Sequence, residues 1–289
     1  MSDQAAFTLM NPQNKELAFR AWPFGDETLP DHLHHDNYYT VILVTKGKGT
    51  LTANLSRYSF GENSLLCFAI YQPYAIQSEE LLEGVLINFH PDFFCLHQHR
   101  HEVSCNGVLF NNIYESPVTP LDANEMRSLC GIAHELSAEV QKKAIAQYEV
   151  LISYLKILLI NATRIQLALK DPRLPGKEPV VLQNLKHAIE ENYKTLHSPS
   201  DYADLLHIST KALNRASKTH FNKTLGSLIA ERIIVEAKRE LYLTPKAIKL
   251  IAFELGFDDE FYFSRFFKNN VAVSPQVFRD TVGFDKDVP

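Results

Sequence analysis

The 289-residue sequence is short of the features that mark secreted and membrane-spanning proteins. It holds four cysteines with no paired spacing, so we expect a reducing compartment rather than a disulfide framework. No basic stretch precedes an apolar run near the N-terminus, which argues against a secretory signal. The most apolar run, residues 151–160, is too short to cross a bilayer and contains Lys156. We therefore expect a cytoplasmic protein with no membrane partner.

The sequence also lacks the short motifs of two large enzyme classes. It has no glycine-rich phosphate-binding loop and no G-x-S-x-G nucleophile elbow. Positive charge is scarce as well, because 29 Lys and Arg stand against 34 Asp and Glu. Any binding of nucleic acid must therefore depend on where individual cations lie, not on bulk charge. We expect no enzyme activity, no catalytic residue and no cofactor.

Composition divides the chain into two parts. Residues 1–20 show little periodicity and are predicted to be an arm, whereas residues 38–89 have the β-branched and aromatic content of short strands in a small barrel or sandwich. Residues 121–169 change to a helical period. Residues 171–179 hold three prolines and one glycine, which indicates an interdomain linker. Almost everything beyond this linker is predicted to be helical.

Two helices are predicted before the linker, at about residues 123–140 and 144–169. The second is apolar on most of its surface between Tyr148 and Ile160, and such a helix must be covered on more than one side. A second protomer or another part of the same chain could supply that cover. We predict a homodimer held by residues 121–169.

The C-terminal part contains a pair of short helices with clear start signals. Ser198 is placed to cap the first helix, with proline next and Asp201 three residues on. A brief turn follows, and Ser209 can cap a second helix over residues 210–221. Two helices with so short a turn form a helix-turn-helix. Its outward basic and polar residues could form a solvated face or contact bases and phosphates; they are Lys211, Asn214, Arg215 and Lys218.

The same device recurs about fifty residues later. A helix is predicted over residues 245–255, Gly256 permits the tight turn, and Asp258 or Asp259 caps the next helix at 261–269. The Asn-Arg pair at 214–215 and the Ser-Arg pair at 264–265 hold similar places. Two such units on one connector would enter successive major grooves, about 34 Å apart.

The segment "ERIIVEAKRELYLTPKAIKLIAFELGFDDEFYFSRFFKNNVAVSPQVFRD", residues 231–280, resembles the AraC-type (arabinose-operon regulator) family of bacterial transcription regulators. The resemblance covers residues 180–282, and a weaker one, through "HLHHDNYYTVILVTKGKGTLT", links the N-terminal part to cupin-type sensor domains. It implies an α+β protein with a cupin-like β-barrel and flanking helices over residues 1–170, a linker at 171–179 and an all-α domain with two helix-turn-helix units at 180–289. The base-facing positions that it implies are Lys211, Asn214 and Arg215 in the first unit and Glu260, Phe261, Ser264 and Arg265 in the second. Lys218 is expected to contact a phosphate, and Lys268 is also assigned to DNA binding.

The sequence departs from the family pattern in the second unit. Ala272 replaces a usual glycine, Ala247 replaces a common capping serine, and Glu260 and Phe261 replace polar readers. We therefore expect the first unit to supply most of the discrimination between DNA sequences.

Histidines in two places raise the question of a metal. His32, His34 and His35 lack the glutamate and later histidine of a cupin metal site, and the stretch from His90 to Cys105 has no C-x-x-C pair. We predict no metal ligand and assign His34, Tyr39, Phe68 and Tyr71 to an effector pocket.

The prediction is a cytoplasmic, bacterial, homodimeric regulator that binds an operator in double-stranded DNA and responds to an unknown small molecule. The effector's identity, the operator, the choice between activation and repression, and contact with RNA polymerase stay open. The alternative is a metal-dependent cupin enzyme, or a metal or redox sensor, fused to a DNA-binding domain.

Overall fold

The structure is a computed structural model that describes residues 7–11, 17–25, 29, 35–53, 56–96, 98–99, 103, 107–142, 144–169 and 179–282. The chain forms two compact units. Unit 1 comprises Met1–Ala53, Arg57–Asn112 and Ser116–Asp171, and unit 2 comprises Asn54–Ser56, Ile113–Glu115 and Pro172–Pro289.

The described strands form two antiparallel sheets. Their bounds are β1 (Thr8–Met10), β2 (Leu17–Phe24), β3 (Tyr39–Lys46), β4 (Gly49–Ala53), β5 (Ser56–Phe60), β6 (Ser64–Phe68), β7 (Tyr74–Ser78), β8 (Glu83–Phe89) and β9 (Val118–Pro120). The larger sheet has the order β1-β2-β8-β3-β6-β9, and the smaller has the order β5-β4-β7. Because side chains alternate between the two faces of a strand, each sheet turns one row of apolar residues toward the other.

The core between the sheets draws residues from both of them. Trp22, Ile42 and Leu86 come from the larger sheet, and Leu51 and Ile76 come from the smaller one. Within the described residues the sheets are open and no closed barrel is formed, so the β-rich part of the prediction is confirmed and the cupin-like barrel is not.

The predicted N-terminal arm is wrong where the chain forms β1 and β2. Strand β2 pairs with both β1 and β8 and therefore lies inside the larger sheet. Its pattern is obscured because Pro23 and Arg20 interrupt the alternation of apolar residues, and proline usually argues against an interior strand.

Two helices follow the strands: α1 (Ala123–Gln141) and α2 (Gln147–Ala168). They pack against each other, and α1 also packs on β2. Asp122 and Glu125 form a capping box at the start of α1. By length and composition α2 could cross a membrane, but core helices of soluble proteins pass the same test, so this is weak evidence.

Unit 2 is helical wherever it carries regular secondary structure beyond residue 179. Its helices are α3 (Val180–Asn192), α4 (Pro199–Leu205), α5 (Thr210–Phe221), α6 (Leu225–Leu243), α7 (Ile248–Glu254), α8 (Glu260–Val271) and α9 (Pro275–Val282). Helix α6 contacts all six of the others. It buries apolar residues such as Leu228, Ile233 and Ala237 and is the connector on which the short helices are mounted.

Candidate nucleic-acid interface

The first pair of short helices, α4 and α5, is fixed by side-chain caps at both helix starts. At α4, Ser198 Oγ accepts from the Asp201 amide at 3.3 Å, and the Asp201 carboxylate accepts from the Ser198 amide at 3.0 Å. The hydrogen bond from the Ser198 backbone amide to the carboxylate, followed by the one with the Ser198 side chain, lowers the pKa of Asp201. At α5, Ser209 Oγ accepts from the Ala212 amide at 3.3 Å. The predicted capping signals at Ser198 and Ser209 are therefore confirmed.

The second pair, α7 and α8, repeats this construction. Asp259 is the residue that caps α8, since its carboxylate accepts from the amides of Phe261 and Tyr262 at 3.2 and 2.9 Å. The carboxylate also lies at the positive end of the helix dipole. Ala247 precedes helix α7 at the N-cap position and supplies no side-chain cap, as the missing serine predicted.

The turns between the helices match hydrogen bond by hydrogen bond. In the first, the Ile208 amide donates to the Ala203 carbonyl at 3.0 Å, and in the second the Phe257 amide donates to the Ala252 carbonyl at 3.0 Å. The residue before each donor has a positive φ, 53° at His207 and 81° at Gly256. Both turns therefore close in the same way, although only one uses glycine.

Helices α5 and α8 are equivalent in register at an offset of 50 residues. Each has twelve residues, and the buried positions correspond pair by pair. The pairs are Leu213 with Phe263, Ser217 with Phe267, and Phe221 with Val271. The predicted correspondence of Arg215 with Arg265 follows from this offset, and it extends to Lys218 with Lys268. Because these residues share one phase of the helix, the same face of α5 and of α8 is directed outward.

The cations on these two faces are available for a ligand. The side chains concerned are Lys211, Arg215, Lys218, Arg265 and Lys268, and all are exposed. Within the described residues none of them forms a side-chain hydrogen bond or an ion pair. Arginine and lysine in this state can neutralise phosphates or donate to base edges.

Asn214 has a structural contact that the sequence did not reveal. Its Oδ1 accepts from the Leu225 amide at 3.0 Å. Leu225 opens α6, where the first amides have no partner within the helix. Asn214 therefore joins α5 to the start of the connector. The equivalent pair in the second unit is Ser264 and Pro275, and proline has no amide hydrogen to be satisfied.

The outward face of α8 carries large aromatic residues as well as a cation. Phe261 is 76% exposed although it is apolar. Nearby, Tyr262, Arg265, Phe266, Asn269 and Asn270 line a shallow depression of about 350 Å³. The position of Phe261 corresponds to Lys211 in α5, and that of Glu260 corresponds to Thr210. The second face is thus less basic than the first.

The predicted effector residues lie in different surroundings from one another. Tyr39 is 3% exposed and its ring stacks on Phe89 with centroids 5.0 Å apart. Phe68 is 1% exposed and stacks on Tyr74 with centroids 3.9 Å apart. Tyr71 is buried and has a φ of 49°. His34 lies outside the described residues.

Among the described residues, no group of three His, Cys, Asp or Glu side chains is close enough to hold a metal ion. The described members make local contacts. His90 Nδ1 lies 3.3 Å from Asp92 Oδ2, and His99 Nδ1 lies 3.0 Å from the Cys95 carbonyl oxygen. The remaining candidates, His32, His97, His101 and Cys105, lie outside the described residues.

The fold and geometry of α4–α5 and α7–α8 define two helix-turn-helix units on one connector. Residues 202–281 match the family of domains described as "Helix-turn-helix domain". Residues 202–281 are therefore similar to this domain family, and the predicted resemblance to AraC-type regulators is confirmed.

Two curated relatives each match about a third of the chain. The chain is 30% identical over 95 residues to the raffinose operon transcriptional regulatory protein RafR of Pediococcus pentosaceus, covering 33% of this chain and 34% of RafR. It is 32% identical over 101 residues to an uncharacterized HTH-type transcriptional regulator of Pseudoalteromonas carrageenovora, covering 35% of this chain and 60% of the relative. These alignments span less than two thirds of either relative.

A longer and weaker match covers most of the chain. The HTH-type transcriptional activator RhaS of Yersinia pestis is 21% identical over 252 residues, 85% of this chain and 88% of RhaS. Among solved structures, ToxT from Vibrio cholerae is 15% identical with a TM-score of 0.40, covering 92% of this chain and 99% of ToxT. The C-terminal domain of AraT from Geobacillus stearothermophilus is 24% identical with a TM-score of 0.37, covering 39% and 97%.

Proposed function

We propose that the protein is a sequence-specific DNA-binding transcription regulator that responds to a small-molecule effector and has no enzyme activity. The observation that carries this proposal is the equivalence of α5 and α8, which turn the same helix face outward with exposed cations at Arg215 and Arg265. A helix of this kind fits the major groove, and two of them can read two successive grooves. The relatives named as transcriptional regulators are consistent with this activity.

The proposed division of labour follows the chain. Residues 180–289 bind double-stranded DNA, residues 171–179 link the two parts, and residues 1–170 form a cupin-like unit that binds the effector between its sheets. The names of the relatives favour a bacterial, cytoplasmic regulator. Contact with RNA polymerase would be required only if the protein activates transcription.

The proposed homodimer rests on the unburied side of α2. One face of this helix packs inside unit 1 through Leu151, Leu155 and Leu158. On another face, Tyr154 and the exposed Ile157 are spaced by one helical turn and are apolar. A second copy of α2 would cover this face. Sedimentation equilibrium of the full chain tests the proposal, with twice the monomer mass of 32.9 kDa expected and a monomer at all concentrations contradicting it.

The DNA-binding activity is tested by selection from a random duplex library with the full-length protein. We expect enrichment of a sequence with two contact regions about 10 base pairs apart. If no sequence is enriched, either in the absence or in the presence of metabolites from a cell extract, the proposed function is contradicted.

The salt dependence of binding tests whether α5 lies against the backbone. Lys218→Ala should weaken binding to all sequences alike and reduce the slope of log K against log salt by about 0.9, because one phosphate contact is lost. Lys142→Ala is a matched control, since Lys142 is paired with Glu139 at 3.0 Å in unit 1. An unchanged slope in Lys218→Ala would remove this residue from the interface.

A further inference from the structure

A row of polar side chains crosses the inner face of the larger sheet in unit 1. Arg20, Asn88 and Thr40 are aligned on the neighbouring strands β2, β8 and β3. Arg20 Nε donates to Asn88 Oδ1 at 2.8 Å, and Asn88 Nδ2 donates to Thr40 Oγ1 at 2.7 Å. Asn88 and Thr40 are each 1% exposed. The hydrogen bond to Thr40 therefore fixes the side-chain amide of Asn88. The oxygen of this amide in turn holds the guanidinium of Arg20 in place.

Aromatic rings surround this guanidinium. Its carbon lies 4.3 Å from the centroid of the Trp22 ring and 5.3 Å from that of Tyr38. Arg20 Nη2 also donates to the Tyr38 hydroxyl at 3.0 Å. Trp22 belongs to the core between the two sheets, whereas Arg20 and Tyr38 are only partly buried. The row thus begins at an accessible edge and ends in the interior.

Among the described residues, two donors at this place have no acceptor. Arg20 forms no ion pair with a carboxylate, and its Nη1 forms no hydrogen bond within the described part of the chain. The indole Nε1 of Trp22 is buried and likewise has no hydrogen-bond partner. The Asp36 side chain forms a hydrogen bond with Tyr38. The pKa of Tyr38 is raised, mainly because this tyrosine is buried. Among the described residues, this partly buried cation therefore has no carboxylate in direct contact, and the buried indole donor has no acceptor; both are unfavourable unless a ligand completes them.

We infer that Arg20 and Trp22 form the recognition site for an oxyanion, a carboxylate or a phosphate, carried by a small organic effector. Arg20 would contact the oxyanion through Nη1 and the free hydrogen of Nη2, a paired geometry that suits both kinds of group. The Trp22 indole would donate a further hydrogen bond and pack against the organic body. Asn88 and Thr40 act as positioning residues. This inference rests on the proposed function, because it names the chemical class of the effector.

The test compares anionic and neutral probes by thermal unfolding of the full chain. Gluconate and glucose 6-phosphate are the carboxylate and phosphate arms, glucose is the neutral control, and sodium chloride matches the ionic strength. Some anions stabilise any folded protein by exclusion from its surface. The measured quantity is therefore the shift in Tm of the wild type minus that of Arg20→Gln, which removes the charge but keeps an N–H donor for Asn88.

We expect at least one anionic arm to raise the Tm of the wild type about 2–4 °C more than that of Arg20→Gln at ten times Kd. Glucose should produce no such difference, and the arm that responds identifies the oxyanion. Trp22→Phe keeps the ring and should weaken the response several-fold. Arg57→Gln, which changes an exposed arginine on β5 of the same unit, should respond like the wild type.

Equal shifts in the wild type and Arg20→Gln, or no shift with either anion up to tens of millimolar, would overturn the inference. Selection of DNA sequences by the wild type is read separately. A protein that selects DNA but shows no Arg20-dependent shift would refute this site and leave the proposed DNA-binding function standing. An Arg20-dependent shift without DNA selection would refute the DNA-binding function and leave the oxyanion site standing.

Discussion

The two helix-turn-helix units share their turns and their pattern of buried positions, but they differ in chemistry at several outward positions. Their turns close with the same hydrogen bonds, and their second helices bury residues at the same positions, 50 residues apart. Yet Lys211 in α5 corresponds to the exposed Phe261 in α8, and an acid, Glu260, stands where the first unit has threonine. Packing fixes the backbone and the buried face, and leaves the outward residues free to differ. The second unit therefore repeats the shape of the first but only part of its outward chemistry.

The largest expected effect concerns the turn of the second unit. A Cβ atom on Gly256 would lie against the Lys194 carbonyl oxygen, closer than real Cβ atoms come, and the residue has a φ of 81°. Gly256→Ala should therefore lower the free energy of unfolding by roughly 2–5 kcal/mol through backbone strain and displacement. His207→Ala, at the equivalent place in the first unit, should cost less than about 1 kcal/mol because alanine would adopt the same φ of 53°.

Urea denaturation of unit 2 measures both variants. If both variants lose the same free energy of unfolding, the space around the residue with positive φ does not distinguish the two turns. That result would contradict the structure.

An intermediate effect separates the two residues that precede the outward arginines. Asn214→Ala should lower the free energy of unfolding by about 1–3 kcal/mol, because the buried Leu225 amide loses its acceptor. Ser264→Ala should stay within about 0.5 kcal/mol of the wild type, since Pro275 has no amide hydrogen. Denaturation midpoints measure the difference. A stable Asn214→Ala variant would contradict the anchoring role of this residue.

The smallest effect is expected at the start of the first helix of each helix-turn-helix unit. Helix α4 has a capping box at Ser198, whereas Ala247 at the N-cap of α7 offers no side-chain acceptor. Ala247→Ser should raise the free energy of unfolding by about 0.5–1 kcal/mol, and Ser198→Ala should lower it by about 1 kcal/mol. Both are measured by the shift in denaturation midpoint. No gain from Ala247→Ser would mean that the start of α7 cannot use a cap.

Local signals in the sequence were sufficient to predict much of unit 2. Serine caps and a helical period placed α5 at its observed bounds, Thr210–Phe221. The choice between Asp258 and Asp259 could not be made in advance, because it depends on the backbone conformation of the cap residue. The predicted start of α7 at residue 245 was three residues early, since the helix begins at Ile248. The contact of Asn214 with Leu225 joins separate helices, so no local pattern indicated it.

Unit 1 was harder to predict because its contacts are distant in sequence. The strand that contains Arg20 and Trp22 was not predicted, because the strand with which it pairs, β8, lies nearly seventy residues later in the sequence. Tyr39 was assigned to the effector pocket, but strand alternation places its neighbour Thr40 in the polar row and Tyr39 on the opposite face against Phe89. The sequence showed that these strands are rich in aromatic residues. The face of the sheet to which each residue belongs could be assigned only from the register of the paired strands.

The central claim is that both helix-turn-helix units read DNA, and Arg215→Ala and Arg265→Ala test it most directly. Each variant should be measured against the selected duplex and against duplexes mutated at each base pair. We predict that each loses about 1–3 kcal/mol of binding free energy and relaxes specificity in its own region, with the two regions about 10 base pairs apart. If Arg265→Ala retains wild-type affinity and specificity while Arg215→Ala does not, the second unit is a structural repeat that does not read DNA, and the claim is contradicted.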